Sequence, residues 1–297
     1  MPTRLQIYWA VVLIIAWPCG FILNASIVAV YLSYRKKECD RILLTMACCN
    51  VLLLSLLAFD AIFITYGLYI LFDKEFCLAI NIILFFSIHF SFWLTACLSV
   101  YYCLRLVNFS CQILIYLQRR ISFVVTLFLL VSVLISWVIN VPVIWAVQVT
   151  KPNATSIYQD YIVNYDKRYM FFNIVLGSAL PFVVTSLCIG ICLISLLRHV
   201  QRMRQHISEF WSPQLKSHVK AFRTMLFLLI LNLIFFIVFG SLYLAEHDLG
   251  VVLQNVLSSG TMFIPSGQAL ILIFGNSKLA KAWSKTMSIF GSCARNV

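Results

Sequence analysis

Seven long stretches of the chain contain no Asp, Glu, Lys or Arg: Leu5–Tyr34, Ile42–Phe59, Phe76–Leu104, Ile121–Thr150, Tyr169–Leu197, Thr224–Ala245 and Leu249–Ser277. Each meets or exceeds the roughly 18 apolar residues a helix needs to cross a bilayer. The second is best extended through Asp60 to about Leu71. The pattern predicts spans over about 7–33, 42–71, 76–104, 121–148, 169–197, 224–245 and 249–275, in one unit taking in residues 1–297. A further run, Leu106–Gln118, is too short to span and contains Asn108, Ser110 and Gln112. It reads as an interfacial or loop helix. The expected fold is all-α and membrane-embedded, a seven-transmembrane-helix bundle.

Composition agrees. Hydrophobic residues make up 62% of the chain and charged residues 11%, with a mean hydropathy of +0.96. Soluble domains run at about 25% charged and 45–50% apolar, so a water-soluble enzyme and a disordered chain are both excluded. The net charge of +12 invites a nucleic-acid reading, but the placement of the charges argues for orientation in a membrane. Of the 22 Lys and Arg, 17 lie in the first, third and fifth loops and the carboxy-terminal tail. The side richer in Lys and Arg is cytoplasmic, which puts the amino terminus outside the cell. The first stretch is far longer than the 7–15 residues of a signal-peptide core, and its basic cluster follows rather than leads. It is expected to stay as the first span.

The loops leave no room for a separate folded domain, so recognition has to happen among the helices. Sites of that kind are concave, mostly apolar and lined by a few placed polar groups. Of the 11 cysteines, only Cys77 is near the outer end of a span, and the outer loop Gln148–Arg168 has none to pair with it. Intramembrane aspartyl proteolysis needs two carboxylates in adjacent spans, and only Asp60 is available. There is no His-Glu-x-x-His for a metalloprotease, no metal-ligand spacing, and no intramembrane Lys for a retinal Schiff base. Transporters usually show internal repeats, and seven spans do not divide evenly. No cofactor, metal or enzymatic chemistry is expected. A receptor with a small cavity and a basic inner face fits best.

Several segments carry a family resemblance. Asp40-Arg41-Ile42-Leu43 follows the first inner loop. The third span reads His89-Phe90-Ser91-Phe92-Trp93-Leu94-Thr95-Ala96 and continues Tyr101-Tyr102-Cys103-Leu104-Arg105-Leu106-Val107-Asn108-Phe109-Ser110. Tyr116-Leu117-Gln118-Arg119-Arg120-Ile121 comes next. The fifth span ends Ser195-Leu196-Leu197-Arg198-His199-Val200-Gln201-Arg202-Met203, and the sixth opens His218-Val219-Lys220-Ala221-Phe222-Arg223-Thr224. The seventh carries Pro265-Ser266, Leu270, Leu272, Gly275-Asn276 and Lys278-Leu279. Together, in order, these resemble the type 2 (bitter) taste receptors, a family of G protein-coupled receptors. The chain departs from the family pattern at Asn50, where Arg is usual, at Gln268-Ala269 in place of His-Ser, and at Leu84 and Ile88, where Trp and Asn commonly serve ligands. It is identified as a divergent member. Vomeronasal type 1 pheromone receptors are the nearest alternative class, and a small-solute transporter comes after that.

The resemblance implies a small-molecule bitter agonist, a gustducin-like heterotrimeric G protein on the inner face, and a multi-pass plasma-membrane location. Membrane lipid is the other partner, nucleic acid is not one, and self-association stays open. The upper faces of spans three, five, six and seven offer Leu84, Phe85, Ile88, Phe172, Leu176, Phe239, Tyr243, Ser258 and Met262, a set suited to small lipophilic compounds. Each of these also has a plain packing reading. Asp60 either reaches water near the outer interface or faces the bundle as a fixed negative charge. His89 is either a structural hydrogen bonder or a ligand contact, and Asn232 is a comparable case. Asn24, Asn50 and Ser266 each lie about nine residues from the inner end of their spans, which at about 1.5 Å per residue places them on one level. They form either a static link or an activation network. Arg105, His199, His218 and Lys220 match family motifs at helix ends facing the G protein. Asn153-Ala154-Thr155 is the sequon expected to carry glycan.

Overall fold

The computed structural model describes residues 3–33, 37–107, 111–150, 162–204, 213–244 and 250–293. Among these residues seven helices are long and apolar enough to cross a membrane. A helix satisfies all its backbone groups internally, which a chain in hydrocarbon requires. In chain order the elements are α1 (Arg4–Ser33), α2 (Glu38–Tyr66), α3 (Lys74–Leu106), α4 (Gln112–Arg119), α5 (Ile121–Asn140), α6 (Val143–Ala146), β1 (Val147–Thr150), β2 (Ile162–Tyr165), α7 (Lys167–Ile174), α8 (Leu180–Arg204), α9 (Pro213–Leu244), α10 (Val251–Gly275) and α11 (Ser277–Cys293). Span four is α5 with α6. Span five is α7 and α8 joined by a π-helical turn, Val175–Ala179.

Local chemistry sets the ends of the spans. The second helix stops at Tyr66, short of the expected Leu71. Gly67 takes a left-handed φ of 64° and caps it, its N–H turned back to the carbonyls of Ile64 and Phe63. Residues 68–71 form a 3-10 turn instead. Span four's α5 stops at Asn140, because Pro142 cannot continue the ladder. Past α6 the chain leaves helix altogether: β1 and β2 pair antiparallel, Val147 opposite Tyr165 and Thr150 opposite Ile162. This hairpin is an addition to the helical expectation. The short run after span three does contain a helix, α4. Its Gln118 Nε2 donates to the carbonyls of Leu104 and Val107 at 2.6 and 2.7 Å, satisfying the open end of α3.

The hub is α3, whose membrane window is 61% buried against 17% for span four. It packs against α2, α5, α8 and α9. The end of the bundle carrying the first, third and fifth loops and α11 is the basic end, and a core of Ile27, Tyr31, Met46, Leu94, Leu98, Tyr101 and Leu272 fills the half nearest it. A second cluster, around Phe85 and Phe239, fills the opposite half. Trp9, Ala16, Ala58, Ala61 and Met262 make a third where α1, α2 and α10 meet.

Candidate ligand site and the polar links beneath it

Leu84, Phe85, Ile88 and Phe239 fall together in one buried cluster with Leu53, Leu56, Phe92, Met170, Ile174, Phe235 and Ile264. Positions 84, 85 and 88 share a face of α3 because i and i+4 stack on a helix. The aromatic rings in the cluster form a continuous series between α3 and α9. Phe85 meets Phe239 edge-on at 5.8 Å, Phe239 meets Phe235 at 6.3 Å, and Phe235 stacks on Phe92 at 5.3 Å. Offset and T-shaped pairs of this kind gain about 0.5–1.5 kcal/mol beyond their burial.

Asp60 is half-buried on α2. It stands one helical turn beyond Leu56 and Leu57, on the face those residues turn toward the cluster. Met262 belongs to the neighbouring cluster with Trp9, and Leu57 packs against both. Ser258 is half-buried, and its carbonyl accepts from Thr261 Oγ1. Next to it, Ser259 Oγ lies 2.6 Å from Tyr8 OH, while Trp9 Nε1 donates to Asn255 Oδ1 at 2.9 Å. These two contacts fasten α1 to α10. Phe172 and Leu176 are not brought to the cluster: they are 64% and 43% exposed on the outer side of span five. Met170 and Ile174, which the sequence reading passed over, fill span five's share. Tyr243 lies in α9, but its side chain is outside the described residues.

Three polar links cross the apolar interior. In the first, Asn50 Nδ2 donates to Asn24 Oδ1 at 3.1 Å, and Asn24 Nδ2 donates to the carbonyls of Gly20 and Pro265 at 2.9 and 3.2 Å. Spans one, two and seven are thus joined at the level read from the sequence. Ser266 Oγ is buried beside this link with no hydrogen-bond partner among the described residues, against the space that Gly20 leaves open. In the second, Gln268 Nε2 reaches Ser91 Oγ at 3.2 Å and Asn232 Oδ1 at 3.4 Å, joining spans three, six and seven. Gln268 is one of the chain's departures from the family pattern.

The third link is centred on His89, which is fully buried. Its Nδ1 lies 3.1 Å from Asn140 Nδ2 of span four. Asn173 of span five donates to Asn140 Oδ1 at 3.1 Å and to Tyr169 OH at 2.8 Å, and Tyr169 OH donates to the Ile139 carbonyl at 3.1 Å. The His89 ring meets Phe239 edge-on at 6.0 Å, which ties this polar group to the aromatic series. Sequence reasoning missed Asn140, Asn173 and Tyr169, although two intramembrane amides are the same signal that marked Asn24 and Asn50.

At the basic end an open cavity of about 250 Å³ is lined by Lys37, Asp40, Tyr101, Arg105, Asn276 and Lys278, among others. Asp40 is buried and pairs with Lys278 at 3.1 Å. Asn276 Nδ2 donates to Tyr31 OH at 3.0 Å. Arg105 is exposed and donates to Tyr101 OH. Lys220 is half-buried in α9, and its carbonyl accepts from Thr224 Oγ1. His199 and His218 lie in α8 and α9 with side chains outside the described residues, and Asn153 is outside them altogether. Among the described residues no group of three His, Cys, Asp or Glu side chains is placed to hold a metal ion.

Residues 1–290 match the family described as "Taste receptor protein (TAS2R)". Taste receptor type 2 member 9 of Homo sapiens is 27% identical over 297 residues, covering 91% of this chain and 88% of the relative. Taste receptor type 2 member 140 of Rattus norvegicus is 33% identical over 202 residues, covering 66% of this chain and 64% of the relative. With seven helices long and apolar enough to cross a membrane among the described residues and a family match over nearly its whole length, this chain belongs to the type 2 taste receptors, the bitter-taste G protein-coupled receptors, and is a multi-pass protein of the plasma membrane.

Proposed function

We propose that this receptor senses small, mostly lipophilic bitter compounds at the Leu84–Phe85–Ile88–Phe239 cluster and activates a gustducin-like G protein at its basic end. The observation that carries the reading is the aromatic series linking α3 to α9, Phe85 to Phe239 to Phe235 to Phe92. An apolar agonist entering there parts Phe85 from Phe239 and replaces ring–ring contact with ring–ligand contact. It favours whichever arrangement of α3 and α9 it binds more tightly, and population shift needs nothing more. Both helices also reach the basic end, where Arg105 and Lys220 stand. Asp60, one turn beyond Leu56, is a fixed negative charge for ligands that carry a cationic group as well. His89, Ser258 and Met262 border the cluster. The excess of basic residues in the odd-numbered loops supports a cytoplasmic basic end and an amino terminus outside.

The test is intracellular calcium in cells expressing this chain with a gustducin-like chimeric G protein, across a panel of bitter compounds. Surface labelling verifies delivery, and a mobility shift on glycosidase treatment, expected from glycan at Asn153, verifies orientation. A dose-dependent signal lost without the G protein is the expected result. Silence from a glycosylated surface receptor overturns the reading.

Asn24, Asn50 and Ser266 are assigned the role of an activation network. Interhelical hydrogen bonds in membranes contribute about 0.6–2 kcal/mol each, so Asn50→Ala is expected to shift agonist potency roughly 3- to 30-fold with the surface level kept. Unchanged potency and unchanged expression would reduce the trio to a static link.

A further inference from the structure

The Asn140–Asn173–Tyr169 relay has a chemical consequence for the imidazole it ends on. Asn140 Nδ2 lies 2.6 Å from the Ser136 carbonyl, and a carbonyl only accepts. That atom is therefore the amide nitrogen, and Asn140 Oδ1 is left to accept from Asn173 Nδ2. The second Asn140 proton points at His89 Nδ1, which must offer a lone pair. Farther out the relay is pinned again, because Tyr169 OH donates its single proton to the Ile139 carbonyl and accepts from Asn173. Every donor in the relay is committed. A neutral imidazole with a lone pair on Nδ1 carries its proton on Nε2. His89 Nε2 is buried and, among the described residues, has no hydrogen-bond partner.

That N–H sits among rings. The imidazole is 6.0 Å from Phe239 and 6.3 Å from Phe85, and its other side rests on Gly177, where a Cβ would stand 2.6 Å from Nε2. A buried donor without an acceptor is costly to keep, and an acceptor oxygen brought to it removes that cost. Resting on the ligand site proposed above, we infer that His89 is held by Asn140 as an Nε2–H donor that selects agonists carrying a neutral hydrogen-bond acceptor, a ketone, ester or lactone oxygen, on an otherwise apolar body. Asn140, Asn173 and Tyr169 act through His89 as positioning residues. Hydrocarbons of the same shape fill the aromatic cluster and leave the N–H unanswered.

The experiment has two readouts. Full-length receptor labelled with 13C,15N-histidine, in nanodiscs without agonist, gives a nitrogen–carbon correlation spectrum in which His89 is the signal absent from His89→Gln. Its protonated nitrogen should correlate with Cδ2, not Cγ, and Asn140→Leu should mix the two forms. The calcium assay then uses cyclic monoterpene ketones and lactones, each paired with its parent hydrocarbon. The oxygenated member should be about tenfold or more the stronger agonist, which is about 1.4 kcal/mol. His89→Phe should erase that difference, while His89→Gln, which keeps an N–H near the Nε2 position, should retain most of it. Surface levels of each variant are measured alongside.

A protonated Nδ1, or parent hydrocarbons as potent as their ketones, overturns the inference. So does a His89→Phe receptor at the surface with the ketone preference intact. Response only to bitter compounds lacking an acceptor overturns it and keeps the receptor reading. Silence to every bitter compound overturns both.

Discussion

Gly177→Ala is expected to destabilise the receptor by about 2 kcal/mol, within the range for overpacking a filled core, and to abolish its response to acceptor-bearing agonists. The added Cβ would lie 2.3 Å from His89 Cδ2 and 2.6 Å from Cγ and Nε2. The ring cannot swing away cheaply, because its Nδ1 is held by Asn140 and its far side meets Phe239. The π turn that carries Gly177 is itself a local departure from the α ladder, of a kind found often at functional sites. The matched control is Gly190→Ala, also in span five, where a Cβ meets nothing within 4 Å. Alanine is the better helix former by up to about 1 kcal/mol, so that change should be neutral or mildly stabilising. Thermal unfolding of the purified variants in one detergent, with calcium responses in parallel, checks both. Equal unfolding temperatures for the two would mean that the His89 seat gives way without cost.

The contrast between these glycines also bears on what can be read from sequence. A charge-free run announces a helix and its length but not its rotation. In span five nearly every residue is apolar, so Phe172 and Leu176 read as well as Met170 and Ile174. The structure turns the first pair outward and the second inward. The signal that fixes the phase was present in Asn173, since an amide inside a bilayer faces the bundle. With Asn173 inward, Met170, Ile174 and Gly177 follow at helical spacing. The same rule holds in spans one and two, where Asn24 and Asn50 meet. Span three was legible at Leu84, Phe85, Ile88 and His89 because all its faces are packed, so any choice of phase finds neighbours.

Ends of elements were harder to place. Gly67 closes α2 through one left-handed residue, and hydropathy does not register that. The β1–β2 pair falls where the charge-free run predicts the end of span four and the start of the outer loop, although Val147, Val149, Ile162 and Val163 carry the β-branched signature. The link through Gln268 was foreseen only as a departure from a family pattern. Its partners Ser91 and Asn232 sit on two other helices, and pairing across helices depends on a three-dimensional register the sequence does not print.

Lys278→Met is expected to cost about 2 kcal/mol, and Asp40→Asn less than half of that, although both break the same ion pair. The asymmetry comes from burial. The Asp40 side chain is 5% exposed and that of Lys278 is 48% exposed. Removing the lysine leaves a buried carboxylate that still accepts from the Lys37 backbone N–H at 3.2 Å but has lost its counter-charge, and an unpaired buried charge is strongly destabilising. Half-solvated Lys278 moderates the effect below the roughly 3–5 kcal/mol of a fully buried pair. Removing the charge from Asp40 instead leaves an ammonium that water already reaches, and the asparagine oxygen still accepts from Lys37. Asp40→Asn combined with Lys278→Met should therefore be more stable than Lys278→Met alone, so the double change costs less than the sum of the two single ones, where additivity would make them equal. The pair joins the start of α2 to the start of α11, beside the cavity that Arg105 lines, so the loss should also weaken G protein activation at a matched surface level. Unfolding temperatures of the three variants and wild type close the cycle. Equal losses from the two single changes would show that water reaches Asp40 as freely as it reaches Lys278.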